Sequence, residues 1–531
     1  MLRNTFRCGM CWLIYGSISA CCVAQVPPHP EYALYFDGDG LPIAPASQIA
    51  PECVDRGAPP RRGWAVISDD CFTGKYVPLI LNGIRASQKH SVLLFVHGGL
   101  NSLEDARERV DRLIATGDNA GTLLHDRYPI FINWQASFTS SYVDHLVRVR
   151  QGIPSPGIAI PTAPYILVKD LAFGAVRSLP DTLELVYNRI DWHKKPICFD
   201  PPAPEYRLQK LSGCNESGPA IDYRWGHDLR TPIQRFTFFL EGVPWMPVKP
   251  LTTGMVVDGL GSEAWKIMTR RTELMFHPEF AAVNAEHRID SRSLTYFLQQ
   301  LTAVVRGTSI CQADDCNVDF VAHSAGGIIM NKALREVPEL PVRNIVYMAA
   351  ASSEEDYETT LLGDGSEVSG FLVLHPHTQT YHLVLQPKAE INEHDFGPFE
   401  FIPRGSLLYW IDNFLAEAEY PRALTAGRIT NLAQRLDAIP TTLRARVHVK
   451  VFDYGGQIGS PPRHGSKEQL LSWYRWCEDN RASCQPQRHG DFSEMPFWED
   501  WFWNPHFETV QKFARYPHAR SVALPPGLSR N

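Results

Sequence analysis

Residues 317–327 read Asn-Val-Asp-Phe-Val-Ala-His-Ser-Ala-Gly-Gly, and few folds accommodate such a run. The apolar, β-branched stretch Val318 to Ala322 is a short buried strand by composition. It stops at His323-Ser324-Ala325-Gly326-Gly327, and a helix-compatible run from Ile328 to Glu336 begins at once. A strand that turns into a helix within two residues forces the turning residue into a strained backbone conformation, so its neighbours must be small. Ala322 and Gly326, two places either side of Ser324, meet that need. The serine hydroxyl would then stand above the carboxyl edge of a sheet, over the free N–H groups and positive dipole end of a helix N-terminus.

A second element earlier in the chain has related punctuation. Val92 to Val96 has the length and composition of a buried strand, and it ends in His97-Gly98-Gly99 before a helix-like run from Leu103 to Thr116. A loop without side chains lets a backbone amide approach a reacting atom. Acyl transfer, which passes through a tetrahedral oxyanion, needs two such donors.

The two motifs, in this order and each in a strand–turn–helix context, resemble the nucleophile elbow and oxyanion loop of the α/β-hydrolase superfamily of serine esterases and lipases. The resemblance covers roughly residues 75–135 and 290–515 by strand and motif order. It implies an α/β-hydrolase fold, a mostly parallel sheet flanked by helices, with the Ala325 amide after the serine and that of Gly99 or Leu100 as the two oxyanion donors. The strand order expected after Val92–Val96 is Pro129–Trp134, Val318–Ala322, Asn344–Ala350, Tyr381–Leu385 and Val447–Phe452.

The fold places the triad in the order Ser, acid, His. The acid belongs on the loop after Tyr381–Leu385, where Glu390 lies closest to the strand end and is the residue assigned; Glu393 and Asp395 stay open. The base belongs after Val447–Phe452. His489 leads towards the final Trp-rich helix, expected at 498–514, and is favoured over His464. Trp498, Trp501 and Trp503 read as core packing. The implied reaction is hydrolysis of a carboxylic ester or lipid acyl bond without a cofactor. A peptidase or thioesterase of the same fold, and a non-catalytic envelope binding protein on this scaffold, are the alternatives.

The chain divides into a signal sequence at 1–24, a Pro-rich tether at 25–63, a core at 64–136 and 291–520, and an insertion at 137–290 read as a cap. In the first of these, Arg3 and Arg7 precede a short apolar run ending Ile18-Ser19-Ala20-Cys21, which resembles a lipobox with Cys21 lipidated. Cleavage after Ala24 is the competing secretory reading, and either one exports the protein to the bacterial periplasm, the outer membrane or the medium. Eight cysteines follow the signal, and their spacing favours Cys53–Cys71, Cys198–Cys214, Cys311–Cys316 and Cys477–Cys484. No Cys-x-x-Cys follows the signal and His-Glu-x-x-His is absent, so no metal site is expected. A net charge of −7 without a long basic run argues against nucleic acid. The expected partners are thus an ester or lipid substrate and, through Cys21, a membrane surface.

Overall fold

The computed structural model describes residues 29–58, 61–87, 89–117, 127–150, 153–190, 197–198, 220–221, 248–277, 293–312, 315–363, 370–393, 404–416, 421–436, 439–452, 467–481 and 484–504. Its centre is a seven-stranded sheet: β1 (Ala33–Phe36), β2 (Ser91–Val96), β3 (Arg127–Trp134), β4 (Val318–His323), β5 (Asn344–Met348), β6 (Gln379–Leu385) and β7 (Val447–Phe452). The spatial order is β1-β3-β2-β4-β5-β6-β7, and every pairing is parallel. All six residues of β4 are buried, as are the last five of β2, the pattern of a parallel sheet covered on both faces. The fold is therefore α/β, and the six expected strands are present with ends shifted by at most two residues.

Helices flank the sheet in two groups. The helix Val77–Ser87 packs on Leu294–Arg306, which packs in turn on Gly326–Glu336; separately, Leu103–Gly117 packs on Lys467–Asp479. The connection β3 to β4 passes back over β2, so the loops leaving β2 and β4 run in opposite directions. Adjacent strands whose connections diverge leave a crevice at their carboxyl ends, where α/β proteins bind ligands. His97-Gly98-Gly99 and Ser324 occupy that crevice.

The stretch read as a tether is in part built into the fold. Ala33–Phe36 pairs with Phe131–Trp134 as the sheet's edge strand, Ile43–Pro45 pairs with Trp64–Val66, and the Cys53–Cys71 disulfide closes the unit. Four apolar residues between Pro- and Gly-rich flanks are too few to stand out by periodicity, and only the neighbouring strand makes them β. Residues 1–28, including Cys21, lie outside the described residues.

The insertion is largely helical where described. Phe138–Val147 leads to one 35-residue helix, Pro156–Ile190, and the chain returns through Thr253–Leu260 and Gly261–Leu274. The sequence suggests two pieces, 164–178 and 181–190, because Pro180 would break a helix by removing a donor; here the helix continues through it. Gly261–Leu274 reaches the crevice: a Cβ on Gly99 would stand 2.6 Å from the Met268 methyl.

Besides Cys53–Cys71, the disulfides Cys311–Cys316 and Cys477–Cys484 are formed as expected, and the three together point to an exported protein. Cys198–Cys214 lies outside the described residues, since Cys214 is not among them. Trp498, Trp501 and Trp503 are all buried, so they pack the core. The final helix is shorter than the expected 498–514 within the described residues, running Asp500–Trp503.

Candidate active site

The turn after β4 takes the strained form that the sequence demands. Ser324 has a φ of 53°, in the left-handed region that L side chains rarely adopt. It is held there by its amide on Met348 O and by its carbonyl, which accepts from Ala351 and Gly327. Gly326 is required by close approach: a Cβ there would lie 2.6 Å from Val96 O and 2.9 Å from His97 O. The Gly326–Glu336 helix therefore starts against the end of β2, with the serine hydroxyl directed into the crevice.

His489 Nε2 lies 2.8 Å from Ser324 Oγ, and both residues are buried. The pairing joins residues 165 positions apart, on two separate loops. His489 opens a short 3-10 turn, His489–Glu494, in which the Asp491 carboxylate accepts from the Gln487 and Arg488 amides. The Cys477–Cys484 disulfide lies just upstream, and Glu494 at the end of the turn pairs with Arg109 and Arg112 on the Leu103–Gly117 helix. The base loop is thus tied to the helix that follows the His-Gly-Gly loop.

That loop is fixed from several sides. Trp134 donates its amide to His97 Nε2 at 3.1 Å, so the ring proton is on Nδ1, which donates to Gly98 O at 2.7 Å. Asn101 Nδ2 donates to the Gly98 and Gly99 carbonyls, and Arg109 in turn donates to Asn101 Oδ1. Burial holds His97 neutral, with its pKa lowered to about 3. Of the two open donors, the Leu100 amide is committed to Ala136 O at 2.9 Å. The Gly99 amide has no acceptor among the described residues, and neither has that of Ala325. The two residues are close together: a Cβ on Gly99 would stand 3.5 Å from Ala325 Cβ, next to Ser324.

Gly98 faces Ser324 directly. A Cβ there would stand 2.7 Å from Ser324 Cβ and 2.8 Å from His323 Nδ1. Gly98→Ala should therefore displace the loop and lower hydrolysis by about 10²-fold or more, at a stability cost of about 1–3 kcal/mol from overpacking. Gly157→Ala, where an added Cβ meets nothing within 4 Å, is the control and should leave both unchanged. Steady-state kinetics and urea unfolding read the two effects.

The three acid candidates fall in different places. Glu390 is buried, and one carboxyl oxygen accepts from Ser406 Oγ while the other has no hydrogen-bond partner among the described residues. It makes no hydrogen bond to His489, whose Nδ1 is also without a hydrogen-bond partner among the described residues. Burial pushes the Glu390 carboxyl up to about 7, against the pull of Arg428. The short helix Pro387–Asn392 carries Glu390, and the hydrogen bond its carboxylate makes is with Ser406. Glu393, one helical turn on, reaches the base loop, with Oε2 accepting from the His489 amide at 2.9 Å. Asp395 and the rival base His464 lie outside the described residues.

One positioning group was not singled out by sequence reasoning. His323 donates from Nε2 to the His489 carbonyl at 3.0 Å and is buried, its pKa held well below 6.5 first by desolvation and then by His489. Only its place directly before Ser324 hinted at a role, because the partner lies 166 residues away.

His489 itself is desolvated, which lowers its pKa to about 4. Protonation would put a charge into a dry site, so the imidazole stays neutral and able to accept a proton well below pH 6.5. The acid limb of kcat/KM should fall near pH 4 rather than at the ordinary histidine value, with circular dichroism marking the range in which the protein stays folded. A limb at pH 6.5 or above would contradict this environment for the base.

No protein family, curated protein or solved structure matches the chain.

Proposed function

We propose that the chain is a serine hydrolase of α/β-hydrolase architecture that cleaves carboxylic esters or lipid acyl bonds. The observation that carries this reading is the 2.8 Å contact between His489 Nε2 and the hydroxyl of a serine held at φ 53° on a strand–helix turn. In the reaction, Ser324 Oγ attacks the acyl carbonyl as its proton passes to His489 Nε2. The carbonyl oxygen takes up the negative charge beside the Gly99 and Ala325 amides. Collapse expels the alcohol, which receives the proton from His489, and leaves an ester on Ser324. Water, deprotonated by His489, then releases the acid and restores the serine.

The protonated imidazole needs a carboxylate at Nδ1. Glu393 already holds the His489 backbone amide, on the same residue, and is the carboxylate assigned this role. Leaving a buried Nδ1–H unsatisfied would cost about 1–3 kcal/mol.

A fluorophosphonate probe should label the folded protein stoichiometrically at Ser324, and p-nitrophenyl esters of graded acyl length should rank its substrates. Folded protein that neither labels nor turns over any ester would favour a binding protein on this scaffold; turnover of amides or thioesters in place of esters would favour the other reactions. Export with a lipid on Cys21 completes the proposal, and Cys21→Ser should then abolish palmitate incorporation in a bacterial host.

A further inference from the structure

The helix Pro156–Ile190 has its polarity inverted. Between Pro156 and Val176 it is long and apolar enough to cross a membrane by length and composition, and only 17% of its most apolar window is buried. Ile158, Ile160, Tyr165, Val168, Phe173 and Val176 are between 60% and 72% exposed. The carboxylate on the same stretch, Asp170, points inward at 5% exposure, where its Oδ2 accepts from Tyr142 Oη and faces His145 Nε2 at 3.0 Å. A helix on a water-facing surface buries its apolar stripe and shows its charges; this one does the reverse.

The neighbouring segment continues the pattern. Thr253–Leu260 packs against the long helix backbone to backbone: a Cβ on Gly174 would stand 2.1 Å from Gly254 O, and one on Gly259 would stand 2.6 Å from Asp170 O. Its Asp258 is buried, while Val256 and nearby Leu251 are exposed. Close packing through small residues, with acids inside and branched apolar side chains outside, is how helix pairs hold together in lipid. The exposed charge between Pro156 and Val176 is a single lysine, Lys169, whose ammonium lies 5.7 Å from the Phe173 ring centroid.

We propose that the outer face of this helix pair docks on a lipid bilayer, with the Pro156–Val176 side chains in the acyl region and Lys169 at anionic headgroups. A broad apolar face that shows one positive charge and no carboxylate complements such a surface. The inference goes beyond the hydrolase reading and stands without it, because it concerns where the protein sits. It also supplies an attachment separate from any lipid on Cys21.

The test uses the full chain carrying Cys21→Ser, which removes any acyl group there, in flotation with phosphatidylcholine vesicles with and without phosphatidylglycerol. The parent should float with both, more strongly with the anionic lipid. The triple variant Ile160→Glu, Val168→Glu, Phe173→Glu should reduce binding by about tenfold or more, since burying even one such side chain is worth that factor. Its melting temperature should not change, because all three side chains are exposed. Lys169→Glu should weaken binding to anionic vesicles by about fivefold or more and to neutral ones less. If the triple variant does not fold, Val168→Glu and Phe173→Glu singly carry the test. A parent that stays in solution, or a folded variant that floats like the parent, overturns the proposal. So does a parent dimer that the variant breaks while neither binds vesicles, which would assign the face to a second copy of the chain.

Discussion

Ser324→Ala should lower ester hydrolysis by on the order of 10⁶, His489→Ala by about as much, and the double variant by no more than either alone. The equality follows from the geometry. Among the described residues the serine hydroxyl has its side-chain hydrogen bond to His489 Nε2, at 2.8 Å. Removing either atom ends the same proton transfer, so the losses do not add. The fold should survive: the strained turn at Ser324 is held by backbone bonds to Met348, Ala351 and Gly327, none of which involves the side chain. Melting temperatures near that of the parent, together with residual turnover from the Gly99 and Ala325 amides, would complete the result. A Ser324→Ala protein that keeps more than a few per cent of activity would place the nucleophile elsewhere.

How much of this was legible in the sequence follows from the range of the forces involved. β4 and β2 announce themselves because strands buried on both faces must be continuous apolar runs, and the turns after them because only small residues fit where Gly326 meets Val96 O and Gly98 meets Ser324. These are local constraints. β1 was hidden because its four residues become a strand only through β3. The long insertion helix was hidden by prolines that usually end helices, and its inside-out polarity can be seen only once the neighbours of Asp170 are known. The base could be narrowed by its place ahead of the last helix, but the acid could not. Three carboxylates lie within six residues of one loop, and which way a short helix turns Glu390 and Glu393 cannot be read from their order.

That turn sets up the second large effect. Glu393→Gln should lower kcat by about 10³–10⁴, the order lost when the acid of a Ser-His-acid set is neutralised, whereas Glu390→Gln should cost less than about tenfold. Ser324 donates to His489 Nε2, which leaves the ring proton on Nδ1, and as the imidazolium forms that proton needs a negative partner. Glu393 already stands on the His489 amide at 2.9 Å, at the end of a helix that closes with its own amide on Ala389 O. Glu390 is poorly suited. Burial raises its carboxyl to about 7, so that at neutral pH much of it carries a proton and no charge. Its oxygen is engaged by Ser406, whose hydroxyl also accepts from the Tyr409 amide to cap the next helix. A neutral glutamine of the same shape can accept that Ser406 bond, and Glu390→Gln should therefore preserve both turnover and melting temperature near pH 6. Glutamine at 393 would keep the bond to the His489 amide but offer no charge to the imidazolium. The defect should then lie in kcat with KM little changed. If the two variants exchange behaviour, Glu390 swings to the base during the reaction; if neither matters, the charge comes from Asp395 on the same loop, and Asp395→Asn should then show the loss.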